Sequence, residues 1–330
     1  MKYDISRMLR QKEASIAVSE DEFFASTELA DYLNNMSAAI SGSRTPPIVH
    51  LHCANEDETA WTNGDQVIIN YRCKLIKMLS GLPNRFKCLL GMLFHELAHV
   101  VYTDFDGEGA CMEQIMRGEL PFDFNESGLD NVQKMREAVK DVRWREVLVK
   151  LYDELFNFAD DKHDEDQIIE AYREFGSSSR SSLIEQCIMR ARSCLRCHAI
   201  PIEQLMEKNN GKITAKVMMP LIFEYIRFGC VIAQKEESQQ CEAINKLAEY
   251  KADADIASSS DSLREKCDAV SRIIARLWPL LEQLAENAGQ STGQDGQQGQ
   301  NGQQVSAPVI KCKKTPRKKC NYVAERREKR

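Results

Sequence analysis

The residues best suited to chemistry lie in one short run, Leu93-Phe94-His95-Glu96-Leu97-Ala98-His99. On a helix, positions i and i+4 share a face one turn apart, so His95 and His99 can direct ring nitrogens at a single cation. Glu96 would project toward the open side of that ion, where it can take a proton from a coordinated water and later deliver it to a leaving amine. Zn2+ suits such donors and brings the pKa of a bound water to about 7. The flanking Met92, Leu93, Phe94, Leu97, Ala98, Val100 and Val101 are uncharged and no proline intervenes, as expected of a helix whose other faces must pack. Three ionisable groups on so apolar a helix would be costly without a partner, which favours a metal over a satisfied polar core.

A catalytic zinc takes a third protein ligand and leaves one position open. Candidates are Asp104, Asp106 and Glu108, close behind the motif, and the acidic run Asn157-Phe158-Ala159-Asp160-Asp161-Lys162-His163-Asp164-Glu165. In that run Asp160 and Asp164 share one helical face, and Asp161 and Glu165 the next. One carboxylate can then bind the ion while its neighbour a turn on steadies a ligand histidine. His163 is expected at the surface, although it could donate a hydrogen bond to a tetrahedral intermediate.

The elements that must position these groups follow from periodicity. Residues 1–45 form one or two short helices ending at the turn Ser41-Gly42-Ser43-Arg44-Thr45-Pro46-Pro47. Ile48 to Cys53 alternates as a strand, with His50 and His52 on its exposed face. Asn63-Gly64 marks a turn and Gln66 to Asn70 a second strand, so a hairpin or two neighbouring strands precede the motif helix. That helix begins at Pro83 and is expected to end near Asp106-Gly107, where glycines accumulate. Leu129 to Asn287 reads as helix almost throughout. Leu263, Cys267, Val270, Ile274, Leu277, Leu281 and Leu284 alternate spacings of four and three, a seam for a helix of the same domain, which Pro279 is expected to interrupt.

With these residues in place, the chain resembles the zincin metallopeptidases, in the branch where a carboxylate on a later helix is the third ligand. More narrowly, Thr62 to Asn70, Leu93 to Phe105 and Asn157 to Glu165 resemble bacterial and phage metallopeptidase domains that precede a von Willebrand factor A-like domain. There the later motif reads Asn-x-x-Glu-Asp with an acid four positions on, which matches Asn157, Asp160, Asp161 and Glu165. The resemblance covers residues 45–175 and implies a zinc peptidase acting on a protein or peptide. His95 and His99 would be ligands, Asp160 the first choice for the third and Asp161 the second, and Glu96 the general base. Aspartate at 160 is one methylene shorter than the family's glutamate, which keeps Asp161 and Asp104 in contention. The implied fold is α+β and mostly helical: a zincin-like core with a small β-sheet, and a helical C-terminal half. The edge strand of that sheet, near Val67 to Asn70, would pair with an extended substrate.

The expected division is a helical segment over 1–45, the peptidase core over 46–175, packed helices over 176–288, a Gln/Gly-rich linker over 289–308 and a basic tail over 309–330. The linker is too poor in apolar groups to order itself. The tail offers weak electrostatic contact with nucleic acid, although a net charge of -6 excludes attraction over the whole surface. A 43% apolar composition supports a real core, and the twelve cysteines read mostly as reduced packing residues in a cytoplasmic protein. Cys194-Leu195-Arg196-Cys197-His198 matches a haem-attachment pattern, but its helical setting and the charged N-terminus speak against export. No later apolar run reaches membrane-spanning length, so no membrane segment is expected. Two rival functions keep the fold: a catalytically inactive, metal-stabilised adaptor working with an ATPase or with a phage or mobile-element protein, and a protease directed to DNA-bound proteins by the tail. An ATPase or a von Willebrand factor A-like domain supplied in trans is the expected protein partner.

Overall fold

A computed structural model describes residues 19–42, 45–52, 56–121, 131–173, 182–235, 238 and 241–290. The linker beyond Gln290, the tail, Cys53 and residues 1–18 lie outside the described residues, and the first two residues expected in the linker end the last helix. In chain order the elements are α1 (Glu20–Phe24), α2 (Thr27–Ser41), β1 (Ile48–His52), β2 (Ala60–Thr62), β3 (Gln66–Asn70), α3 (Lys74–Lys77), α4 (Leu82–Tyr102) and α5 (Phe105–Met116). There follow α6 (Asn131–Ala138), α7 (Val142–Ala171), α8 (Leu183–His198), α9 (Ile202–Lys208), α10 (Ala215–Phe228), α11 (Glu242–Leu247), α12 (Lys251–Ser259) and α13 (Leu263–Gln290). The protein is therefore α+β and mostly helical, with one small sheet. Among the described residues no helix is long and apolar enough to cross a membrane. The described residues divide into two compact units, one within 19–103 and 164–197 and the other within 104–163 and 198–290.

The first unit is built on the sheet, whose order is β1-β3-β2. β3 pairs in parallel with β1, Ile48 opposite Gln66 and His52 opposite Asn70, and antiparallel with β2, Ala60 opposite Ile69. The hairpin turns at Asn63-Gly64-Asp65. The Asn63 Oδ1 accepts from the amides of Asp65 and Gln66 at 3.0 and 2.9 Å, and Gly64 takes φ 84°, a conformation that suits glycine. The strand expected at an edge is thus the central one. Alternation identifies a strand but carries no information about which neighbours pair with it, and both sides of β3 are already hydrogen-bonded. A substrate cannot add to it.

Val67 and Ile69 on β3 are fully buried and join Leu33, Phe86, Leu89, Leu93 and Phe94 in the core. α4 starts after Gly81 (φ 76°) with Pro83 in its first turn, where a missing amide hydrogen costs nothing. Every residue from Cys88 to His99 is buried. At Gly91 the helix meets α8 backbone to backbone: an added Cβ would lie 2.1 Å from the Cys187 carbonyl oxygen. Only glycine permits that approach.

α4 ends at Thr103, not near Gly107. Thr103 is extended, and the side chain of Asp104 accepts from the Gly107 amide at 3.1 Å, starting α5 as its N-cap. Gly107 lies inside α5, where an added Cβ would fall 2.3 Å from Leu263 Cδ2.

The second unit is helical. Cys267, Val270, Ile274, Leu277 and Leu281 of the α13 seam are buried, and α13 packs on α12, α6 and α10 within the unit. Pro279 does not interrupt α13. Its ring removes the donor that would reach the Ala275 carbonyl, and the Asn131 side-chain amide donates there instead at 3.0 Å. α7 is one unbroken helix whose residues up to His163 belong to this unit and whose remainder belongs to the first.

Candidate metal centre

His95 and His99 sit on successive turns of α4, 1% and 0% exposed, with ring centroids 4.7 Å apart and planes at 81°. Each ring is held through Nδ1 by a carboxylate of α7. His95 Nδ1 lies 2.8 Å from Glu165 Oε1, and His99 Nδ1 lies 3.1 Å from Asp164 Oδ2. The Thr103 hydroxyl, one turn beyond His99, donates to Asp164 and lies 3.0 Å from the same Nδ1. A carboxylate at Nδ1 favours the tautomer that carries its proton there, so that Nε2 presents its lone pair.

Asp161 stands on α7 three residues before Asp164 and four before Glu165, one turn back on the face they share. His95, His99 and Asp161 each offer a ligand atom, all within 4.8 Å of one another, and all three are buried. Two imidazoles and a carboxylate, with carboxylates behind the rings, form a donor set that fits a zinc or similar divalent ion. Glu96, next to the first histidine, is fully buried on the same helix.

The other acids have different places. Asp160 is fully buried and accepts from the Lys266 ammonium of α13, whose side chain is 9% exposed. Its neighbour Asp161 is the carboxylate that lies with the histidines. Asp104 caps α5, and Asp106 and Glu108 lie in the first turn of that helix. His163 is not at the surface: it is buried, with Nε2 3.1 Å from Asp261 Oδ1. Its partner is 98 residues away, in the link between α12 and α13, which local composition does not reveal. His50 is exposed on β1, and His52 is half-buried. Cys194 is buried on α8, where a hydrogen bond with Cys88 holds its thiol below the ordinary range.

Four residues at this centre carry no weight in the sequence taken alone. Thr103 has a local signal, since it follows His99 by one helical turn. Lys266, Arg192 and Arg227 have none. Arg192 of α8 donates to Glu165 and reaches Asp166 at 3.0 Å, while Arg227 of α10 donates to the backbone carbonyl of Asp161. Each lies more than twenty residues from its partner, so only the folded chain brings them together. No family model matches the chain, nor does any curated protein or solved structure.

Proposed function

We propose that the chain is a zinc-dependent metallopeptidase with a zincin-like centre that hydrolyses peptide bonds in a protein or peptide substrate. The observation that supports this best is the grouping of His95, His99 and Asp161, with both ring Nδ1 atoms engaged by carboxylates. His95 and His99 would hold the ion through Nε2 and Asp161 through a carboxylate oxygen. Asp160 is left to its ion pair with Lys266. The ion, when bound, supplies Lewis acidity that polarises a carbonyl and acidifies water. Glu165 and Asp164 accept the Nδ1 protons and fix the tautomer and tilt of the two rings. Glu96 takes a proton from the attacking water and passes it to the departing amine. Glu96 is itself fully buried, which keeps bulk water from it and strengthens charge interactions there.

The test is metal analysis of the purified full chain, with cleavage of an unfolded polypeptide measured alongside. Stoichiometric zinc is expected in the wild type, lost in His99→Ala and retained in Glu96→Gln, with cleavage abolished in both variants. A wild-type chain that acquires no zinc, or a Glu96→Gln chain that still cleaves, refutes the proposal.

A further inference from the structure

We propose that Arg192 is a positioning residue for the His95 ligand, acting through Glu165; this rests on the metal-centre reading above. The two histidines are steadied differently. His99 is braced by Thr103 at the end of its own helix and by Asp164 of α7. His95 leans on a three-helix relay. Its Nδ1 on α4 meets Glu165 Oε1 of α7 at 2.8 Å, and Glu165 Oε2 accepts from Nε of Arg192 on α8. The side chains are 1%, 2% and 13% exposed in that order, so water screens the relay little.

The guanidinium also reaches Asp166 with a terminal nitrogen at 3.0 Å, so one planar group spans two successive carboxylates of α7. A planar fork fixes the orientation of a carboxylate in a way that a single ammonium cannot. α8 is itself seated on α4 at Gly91, which would meet Cys187 and Ala191, the residue beside Arg192. The contacts α4 to α7, α7 to α8 and α8 to α4 therefore close a triangle within one unit. The ring of His95 is aimed by the corner farthest from it. Arg192 also lies beyond residue 175, outside the stretch that resembles the peptidase domains.

The experiment compares Zn2+ affinity, by competition with a chromophoric chelator, in the full-length wild type, Arg192→Gln, Arg192→Lys and Asp166→Asn. Melting of the metal-free chains serves as the folding control. Long-range proton-nitrogen spectra of 15N-histidine-labelled, zinc-loaded chains read the ring tautomer. Loss of an outer partner weakens metal binding about 10–100-fold. That loss is expected for Arg192→Gln, a smaller one for Arg192→Lys, and near-wild-type affinity for Asp166→Asn. The His95 ring signals should broaden or shift only in the Arg192 variants. A wild type that binds no zinc overturns the metal centre and the relay together. A wild type that binds, with Arg192→Gln binding as tightly and showing the same ring signals, overturns the relay alone. Should Arg192→Gln fail to fold, Arg192→Lys decides: wild-type affinity in that variant also overturns the relay.

Discussion

Substituting alanine for Gly91 sets two known effects against each other. Alanine in a helix interior is favoured over glycine by about 0.8–1.0 kcal/mol. The new Cβ, however, would lie 2.1 Å from the Cys187 carbonyl oxygen, 2.8 Å from its carbonyl carbon and 2.9 Å from Ala191 Cβ. Two of these are backbone atoms of α8, which cannot swing aside as the tip of a side chain can, so the helix itself must retreat. Overpacking of this kind costs about 1–3 kcal/mol, and rigid backbone neighbours place it toward the upper end. The net expectation is a loss of about 1–2 kcal/mol. Gly109 of α5 provides the contrast: a Cβ added there would have nothing within 4 Å, so alanine should stabilise by about 0.5–1 kcal/mol. Because two units need not unfold in one transition, peptide-resolved hydrogen exchange is the suitable assay. Exchange in α4 and α8 should quicken about 5–30-fold in Gly91→Ala, the factor equivalent to that loss. If those helices exchange as slowly as in the wild type, α8 does not rest on α4 at this glycine and the packing argument fails.

Two further outcomes follow from the buried groups. Asp161→Asn should release zinc at chelator concentrations the wild type withstands, about tenfold or more lower in affinity, whereas Asp160→Asn should keep zinc but lose stability by up to about 3–5 kcal/mol, because it breaks the buried ion pair with Lys266; the reverse pattern in metal analysis and urea melts would exchange the roles of the two acids. Burial pushes Cys73 up to about 11 and Cys187 to about 12, and burial beside Cys187 pushes Tyr32 to about 12. The folded chain thus keeps protons that the unfolded chain begins to lose near pH 9. Stability of the first unit is whole below that pH and falls by about 1.4 kcal/mol per pH unit for each thiol as pH rises toward 11. Hydrogen exchange in α8 that stays flat from pH 8 to 11, after correction for intrinsic rates, would refute this sign.

Much of the centre is legible without any knowledge of the fold, because its parts are local. The i, i+4 histidines need only helical periodicity, and the apolar run from Leu89 to Val101 announces a buried helix. The spacing of Asp161, grouped with the histidines, and Glu165, at the His95 ring, is also helical periodicity. What escapes depends on distant neighbours. Asp160 and Asp161 are adjacent acids on one helix, and Lys266, 106 residues after Asp160, distinguishes them. The end of α4 is hidden because glycines suggest a terminator further on. Asp104, three residues before Gly107, is the N-cap signal that outweighs them. Pro279 suggests a break because its substitute donor, Asn131, lies 144 residues before the carbonyl it serves. The central place of β3 likewise depends on a parallel partner reached by a crossover.

The unbroken burial of α4 from Cys88 to His99 has one more consequence. An ordinary amphipathic helix has a wet stripe where sequence can drift, so tolerance to change rises and falls every three or four residues. This segment has no such stripe, and interiors packed at crystal-like density register even a methylene. His95, Glu96 and His99 are therefore enclosed by neighbours as constrained as they are, and the length of the segment, more than its five-letter motif, is the signature that selection on this protein would leave.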